Sequence, residues 1–202
     1  MEIGGAVPDA AAGPVPATLP QDLEDILMQL AACERDAEAI LRDLDEQRLN
    51  WRPAAASWSI GQCIDHLAAA SRVQLAVMAE GAESARRRGW SRRGPIQPGP
   101  PSRWFIRNLE PPPRQRLRAP KQIVPAERLA PEAVGGEFAR RQAEIRSLLR
   151  AVAGLDLNRA RYVNPFVPFI RFSLGTGFLV LAAHQRRHLW QAARLRQHAD
   201  FP

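Results

Sequence analysis

Cysteine is scarce in this sequence, and its scarcity excludes two kinds of small protein. The 202 residues include two cysteines, Cys33 and Cys63. Two are too few for a disulfide framework, and their spacing does not match a zinc ribbon. Both lie in segments that the apolar pattern predicts to be helical, and cysteine is among the residue types most often buried. We therefore expect two buried free thiols.

Long apolar runs are also missing. The most apolar run, 178–183, is followed at once by "HQRRH", whereas a membrane-spanning helix needs about 20 consecutive apolar residues. Residues 1–19 lack the basic start and the apolar stretch of a secretory signal, and their proline and alanine content predicts a disordered tail. We expect a cytoplasmic protein without a membrane partner, with one folded domain over 20–198.

Lysine is nearly absent, although the chain is strongly basic. Lys121 is the only lysine among 28 basic residues, and the net charge is +7. The arginines are spread along the chain, and the clusters between Arg86 and Arg118 flank prolines instead of following one helix face. Single-strand binders interleave aromatic and basic residues, which happens here only at "SRWF". Nucleic-acid binding is therefore the least favoured of the functions considered.

Apolar residues recur every three to four positions in four segments, which is the period of a helix with one buried face. The first segment runs from Leu23 to Leu44 and stops near "NWRP". The third begins at Pro131 and stops at Gly154, and the fourth spans Thr176–Gln197. Four such helices with a long crossover between the second and the third predict an all-α four-helix bundle.

The second helix has a well-marked start at "SWSIGQC". Ser59 and Gln62 have the spacing of a capping box, and Trp58 and Cys63 have that of a hydrophobic staple. The helix therefore begins at Ile60, and its apolar stripe continues to the neighbourhood of residue 80.

Residues 89–131 contain ten prolines and no sustained period of either kind. Connections longer than about 12–15 residues are usually either disordered or functional in compact domains. Aromatic side chains would be unusual in a disordered segment. We therefore predict that Trp90, Trp104 and Phe105 fold over the mouth of the site described next, as a lid.

Three of the four histidines fall on predicted core-facing positions. His184 and His188 are one turn apart on the seam of the fourth helix, and His66 lies on the apolar stripe of the second. His198 is about 21 Å further along the axis than His184. Neutral imidazoles are good ligands for a divalent transition metal, and metal binding would satisfy polar groups that are costly in a core. The alternative is three hydrogen-bonded core histidines.

At this point the sequence resembles a known family. "SWSIGQCIDHLAAA", followed more than a hundred residues later by "AAHQRRHLWQAARL", is similar to the DinB/YfiT superfamily, and "LNWRP" and "RAPKQIVPAERL" extend the likeness. The resemblance implies an antiparallel four-helix bundle that binds nickel, zinc or another divalent ion such as iron or manganese. It implies His66, His184 and His188 as ligands and, often, a homodimer. Some members are transferases or isomerases that use low-molecular-weight thiols.

The function expected from these features is that of a metal-dependent enzyme with a small-molecule substrate, either a hydrolase or a thiol-dependent S-transferase. A non-catalytic, stress-associated metal-binding bundle is the first alternative, and an arginine-driven nucleic-acid binder is the second. Gln62 is a candidate to orient the ring of His66, although its role in the capping box is the simpler interpretation. Asp65 is expected to be a solvated charge, and Arg186 and Arg187 are expected to be solvated or ion-paired.

Overall fold

The structure, a computed structural model, describes residues 18–113, 119–167 and 169–202. The α-helices of these residues are α1 (Gln21–Leu41), α2 (Glu46–Asn50), α3 (Ile60–Arg87), α4 (Pro100–Leu109), α5 (Pro131–Ala151) and α6 (Leu174–Arg196). A 3₁₀ helix spans Lys121–Ile123, and strands β1 (Arg161–Val163) and β2 (Arg171–Ser173) form an antiparallel hairpin. The tail predicted over 1–19 lies outside the described residues except for its last two. None of the described helices is long and apolar enough to cross a membrane.

The four long helices form the predicted bundle, in which α1 and α3 each pack against both α5 and α6. Two helices run in each direction. The Arg196 side chain reaches the carbonyl groups of Ala39 and Ile40 at the end of α1, so α6 runs parallel to α1. Arg86 at the end of α3 reaches the carbonyl of Ala151 at the end of α5, so these two helices also run parallel. A connection between parallel neighbours must return along the bundle, which explains the length of 88–130.

The first helix ends earlier than its apolar period predicts. α1 stops at Leu41, and Asp43 adopts a left-handed conformation with φ 58°. The chain then turns into the short helix α2, where the Asp45 side chain accepts a hydrogen bond from Arg48 N at 2.8 Å. Leu44 and Leu49 are still buried. The apolar period therefore continues past the end of α1 and does not reveal that the helix stops there.

The long connection has more regular structure than its prolines predict. Pro100 and Pro101 begin helix α4, since proline fits the first turn of a helix, where its missing N–H is not needed. α4 packs against α6, and Phe105 contacts Phe172 of β2 with ring centroids 5.4 Å apart. The segment is therefore neither a disordered loop nor wholly irregular over its described residues.

The connection between α5 and α6 also contains an unpredicted element, the β1–β2 hairpin. Arg161 pairs with Ser173, Tyr162 with Phe172 and Val163 with Arg171. The Ser173 side chain caps α6 by accepting from Thr176 N, so the helix begins at Leu174 and not at Thr176. The hairpin closes one end of the bundle, and its own residues Tyr162 and Phe172 are buried on its inner face.

Gly177 allows the hairpin to pack closely against α6. A Cβ atom there would lie 2.7 Å from the Tyr162 hydroxyl oxygen and 3.1 Å from Met78 Cε. The hydroxyl cannot easily move, because Gln74 Nε2 donates to it at 3.0 Å and also donates to the carbonyl of Gly177 at 3.1 Å. Tyr162 is buried, so its ring has no free space into which to turn.

We therefore expect Gly177→Ala to lower the free energy of unfolding by about 1–3 kcal/mol, the usual cost of overpacking a core. Gly136→Ala is the matched control. Gly136 is exposed in the second turn of α5 and an added Cβ would meet nothing within 4 Å, so this change should raise stability by about 0.5–1 kcal/mol. Urea denaturation of both variants measures the difference, and equal effects would contradict the role given to Gly177.

Candidate metal centre

His66 lies in the second turn of α3 and is held in place by the long connection. The predicted capping box is formed, with Gln62 N donating to Ser59 Oγ and Ser59 N donating to Gln62 Oε1. The ring of His66 is 3% exposed, and its Nδ1 lies 2.8 Å from the carbonyl oxygen of Ile123. Because a carbonyl only accepts, the hydrogen of the neutral ring is on Nδ1 and the lone pair is on Nε2.

His184 and His188 lie one turn apart on α6, and their rings meet the ring of His66. The Nε2 atoms of His66 and His184 are 3.3 Å apart. The ring centroids of the three pairs are separated by 4.6 to 5.1 Å. One ligand nitrogen from each histidine lies within 4.8 Å of the other two. The three imidazoles predicted to face the bundle interior thus converge on one point.

Burial keeps all three rings neutral. It lowers the pKa of His66, although the hydrogen bond to Ile123 acts in the opposite direction. Burial lowers the pKa of His184 well below 6.5, and His188, His66 and Arg187 lower it further. Burial, His66 and Arg187 lower the pKa of His188 to about 3. Neutral imidazoles have the free lone pairs that a metal ion requires.

The donor set fits a divalent transition metal. Two nitrogens bound to zinc at 2.0–2.1 Å in tetrahedral geometry are about 3.3–3.4 Å apart, and the Nε2 atoms of His66 and His184 have this separation. The Nδ1 atom of His188 is buried and makes no hydrogen bond of good geometry to a described residue, although the Gln191 side chain acts to raise the pKa of this ring. Three histidines and no carboxylate form the cluster, a composition typical of zinc, nickel, copper and iron sites.

Trp58 forms an aromatic wall beside the histidines. Its ring centroid lies 4.8 Å from that of His66 and 5.6 Å from that of His188. Trp58 packs against the same apolar cluster as Cys63, which agrees with the staple predicted at the start of α3. Cys63 is fully buried, packs in the apolar cluster and does not belong to the group of side chains that could hold an ion, so its thiol is a packing group.

The segment after the 3₁₀ helix binds the start of α3 at two further points. Gln62 Nε2 donates to the carbonyl of Ala126 at 3.2 Å, and Asp65 Oδ2 accepts from Ala126 N at 3.1 Å. Gln62 therefore completes the capping box and anchors the connection. Asp65 was predicted to be a solvated charge. Its carboxylate instead accepts a hydrogen bond from the backbone of Ala126 and so helps to hold the segment that contains Ile123.

The aromatic residues predicted to cover the site lie elsewhere. Trp90 packs against the cation groups of Arg88 and Arg159, Phe105 packs against Phe172, and Trp104 is 62% exposed. The apolar surfaces of Trp90 and Phe105 pack against the core cluster that contains Phe172 of β2, at the hairpin end of the bundle. Of its described residues, the connection reaches the histidine rings with the backbone carbonyl of Ile123.

The predictions for the remaining polar residues and for the cysteines agree with the structure in part. Arg186 is ion-paired as expected, with Nε donating to Glu110 at 2.9 Å. Arg187 is 8% exposed and not solvated, and it donates to the carbonyl of Asn108 at 3.1 Å. His198 lies outside the cluster, against Trp51. Cys33 is buried, and burial raises the pKa of its thiol to about 11; both cysteines are buried free thiols as predicted.

A family comparison agrees with this architecture. The family model described as the DinB superfamily matches residues 29–192, which is most of the chain. The chain belongs to the DinB superfamily. No curated protein and no solved structure matches it significantly. The matched DinB region begins within α1, ends within α6 and contains the three histidines, so the candidate metal centre lies within the family domain.

Two features of this DinB site were missed from the sequence. One is the carbonyl of Ile123, which orients His66 although it lies 57 positions away, and the other is the contact of Trp58 with two histidine rings. Every residue has a backbone carbonyl, so the residue type at position 123 does not reveal this hydrogen bond. The position of Trp58 before the helix start did predict packing, but not packing on the histidines.

Proposed function

We propose that this DinB-superfamily protein is a metal-dependent enzyme that uses His66, His184 and His188 to hold nickel or zinc, with iron or manganese as alternatives. The observation that carries the proposal is the convergence of three neutral histidine nitrogens on one point inside the bundle. A divalent ion bound there lowers the pKa of a bound water or thiol and so supplies a nucleophile at neutral pH.

The surroundings favour a thiol S-transferase over a hydrolase. The histidine cluster contains no carboxylate, and the Asp65 carboxylate accepts a hydrogen bond from the backbone of Ala126. No side chain of the cluster is thus placed as a general base, which many hydrolases use to move a proton from water. The Arg187 guanidinium lowers the pKa of His184 and His188 through its charge, and the same charge favours an anionic group such as a thiolate.

The chain's own residues have three roles in this proposal. The carbonyl of Ile123 fixes the ring of His66 with Nε2 towards the other two histidines. Trp58 covers one side of the rings and limits the access of water. Arg187 adds positive charge at the base of the site and is itself positioned by the carbonyl of Asn108.

Activity of the metal-loaded protein tests the proposal. The wild type, loaded in turn with nickel, zinc, iron and manganese, is assayed with an aryl halide and glutathione, cysteine or coenzyme A, and with an activated ester in the absence of thiol. We expect thiol consumption that depends on the metal and falls to background in His184→Ala. His198→Ala, which changes a histidine outside the cluster, should retain the wild-type rate.

Metal binding without turnover of any of these substrates would contradict an enzyme and support the non-catalytic metal-binding bundle. Ester hydrolysis without thiol transfer would instead favour the hydrolase. These two results are separable because metal content is measured on the same samples.

A further inference from the structure

A concave site lies at the hairpin end of the bundle, far from the histidines. It is a pocket of about 310 Å³ lined by the C-terminal part of α3, the residues that precede β1, and both strands of the hairpin. Its lining residues are Gly81, Ser84, Arg88, Trp90, Arg159, Arg161 and Arg171. Ser84 follows His66 by eighteen residues on the same helix, so the two sites are separated by about 27 Å along the axis.

Positive charge is concentrated in this pocket and is not neutralised by the described residues that line it. Four of the lining residues are arginines, and none of the lining residues is acidic. Asp156 precedes Arg159 by three positions, but its carboxylate accepts from the backbone N–H groups of Asn158 and Arg159. Other arginines of the chain do have carboxylate partners, such as Arg92 with Asp22 and Arg146 with Glu34. The pocket therefore differs from these ion-paired positions, because no carboxylate lines it.

Two packing features bring these arginines together. The guanidinium carbons of Arg88 and Arg159 lie 4.9 and 4.3 Å from the ring centroid of Trp90, so one indole orders two cations. An added Cβ on Gly81 would lie 3.1 Å from the carbonyl oxygen of Arg161, so the glycine permits the close approach of β1 to α3.

The hairpin register brings the other two arginines, Arg161 and Arg171, together. Val163 pairs directly with Arg171, and Arg161 is two residues before Val163, so Arg161 and Arg171 lie on the same exposed face of the two strands. Like charges at neighbouring positions of a strand pair repel each other, and a bound anion would relieve this repulsion.

We propose that this pocket binds a small anion that carries phosphate groups. The guanidinium group presents forked donors that match phosphate oxygens, and four such groups suit the charge of a diphosphate. The Ser84 hydroxyl adds a neutral donor to the lining. The volume lies at the lower end of the range for small-ligand pockets. A duplex nucleic acid is better matched by an extended basic stripe than by a concave pocket of this size.

Titration calorimetry with sodium pyrophosphate tests this proposal. The protein is freed of metal beforehand, and ionic strength is held constant with sodium chloride, so that chelation and general screening do not contribute. We expect saturable binding of one pyrophosphate per chain. Arg161→Gln/Arg171→Gln should weaken it by about tenfold or more, because each substitution removes a charged hydrogen-bond donor.

The controls separate this pocket from the rest of the surface. Arg72→Gln removes the same charge from an exposed position of α3 outside the pocket, and it should leave the affinity within about twofold of the wild type. His188→Ala should also leave it unchanged, since the histidine cluster is remote. No saturable binding to the wild type, or equal losses in the pocket variant and in Arg72→Gln, would overturn the proposal. So would binding of a short DNA duplex that pyrophosphate does not displace.

Discussion

Metal content should fall from about one ion per chain to none when either His66 or His188 is replaced by alanine. The wild type and both variants are loaded with nickel or zinc, dialysed and measured by elemental analysis. The effect is expected to be complete, since the cluster offers one nitrogen from each of three histidines and two remaining ligands hold an ion far less tightly.

His198→Ala is the matched control for this measurement. It removes a histidine that follows the end of α6, where the ring contacts Trp51 and lies outside the cluster. It should retain the wild-type metal content. Circular dichroism shows whether the His66 and His188 variants stay helical, so that loss of metal is not mistaken for loss of the fold. A wild type that binds no ion under any loading condition would identify the three histidines as core residues.

The metal-free protein should lose stability as the pH falls from 7 to 5. The unfolded chain binds a proton at each histidine near pH 6.5, whereas in the folded protein the pKa of His188 is about 3. Between these values the unfolded state holds more protons, so the free energy of unfolding decreases as the pH decreases. His188 alone contributes a loss of about 2 kcal/mol at pH 5, and the lowered pKa values of His66 and His184 add to it.

Urea denaturation at pH 7 and pH 5 measures this loss. Carboxylates also titrate near the lower pH, so the informative comparison is with His188→Asn, which keeps a polar side chain that does not titrate. The variant should lose about 2 kcal/mol less than the wild type over this interval. Equal losses in the wild type and in His188→Asn would show that the ring of His188 is protonated in the folded state as readily as in the unfolded chain.

The helices and the histidine cluster were accessible from the sequence because both depend on helical period. The seam of α6 places His184 and His188 on one face, and the capping box at Ser59 fixes the register of α3 and hence of His66. Period says nothing about backbone conformation between buried positions. For that reason the left-handed turn at Asp43 was missed, although Leu44 before α2 and Leu49 within it are buried as the apolar pattern requires.

Contacts between distant segments could not be predicted in this way. Gln142 and Gln185 are buried in facing helices, and each amide nitrogen donates to the other's oxygen, at 3.1 and 2.9 Å. On its own helix, each glutamine resembles a misplaced polar residue. The arginine pocket is a similar case, because Arg88, Arg161 and Arg171 come from separate segments that only the hairpin register and the glycine at position 81 bring together.

The hydrogen bond between His66 and Ile123 and the 118 positions between His66 and His184 set the order in which the site is assembled during synthesis. α6 follows every other helix and strand of the described chain, so a ribosome that has completed α3 and the connection has made only one of the three histidines. The nascent chain cannot capture an ion through all three until α6 has emerged and packed against α3. Under the proposed function, an ion bound by all three histidines would therefore be acquired only after α6 has packed, and its presence would mark a finished bundle.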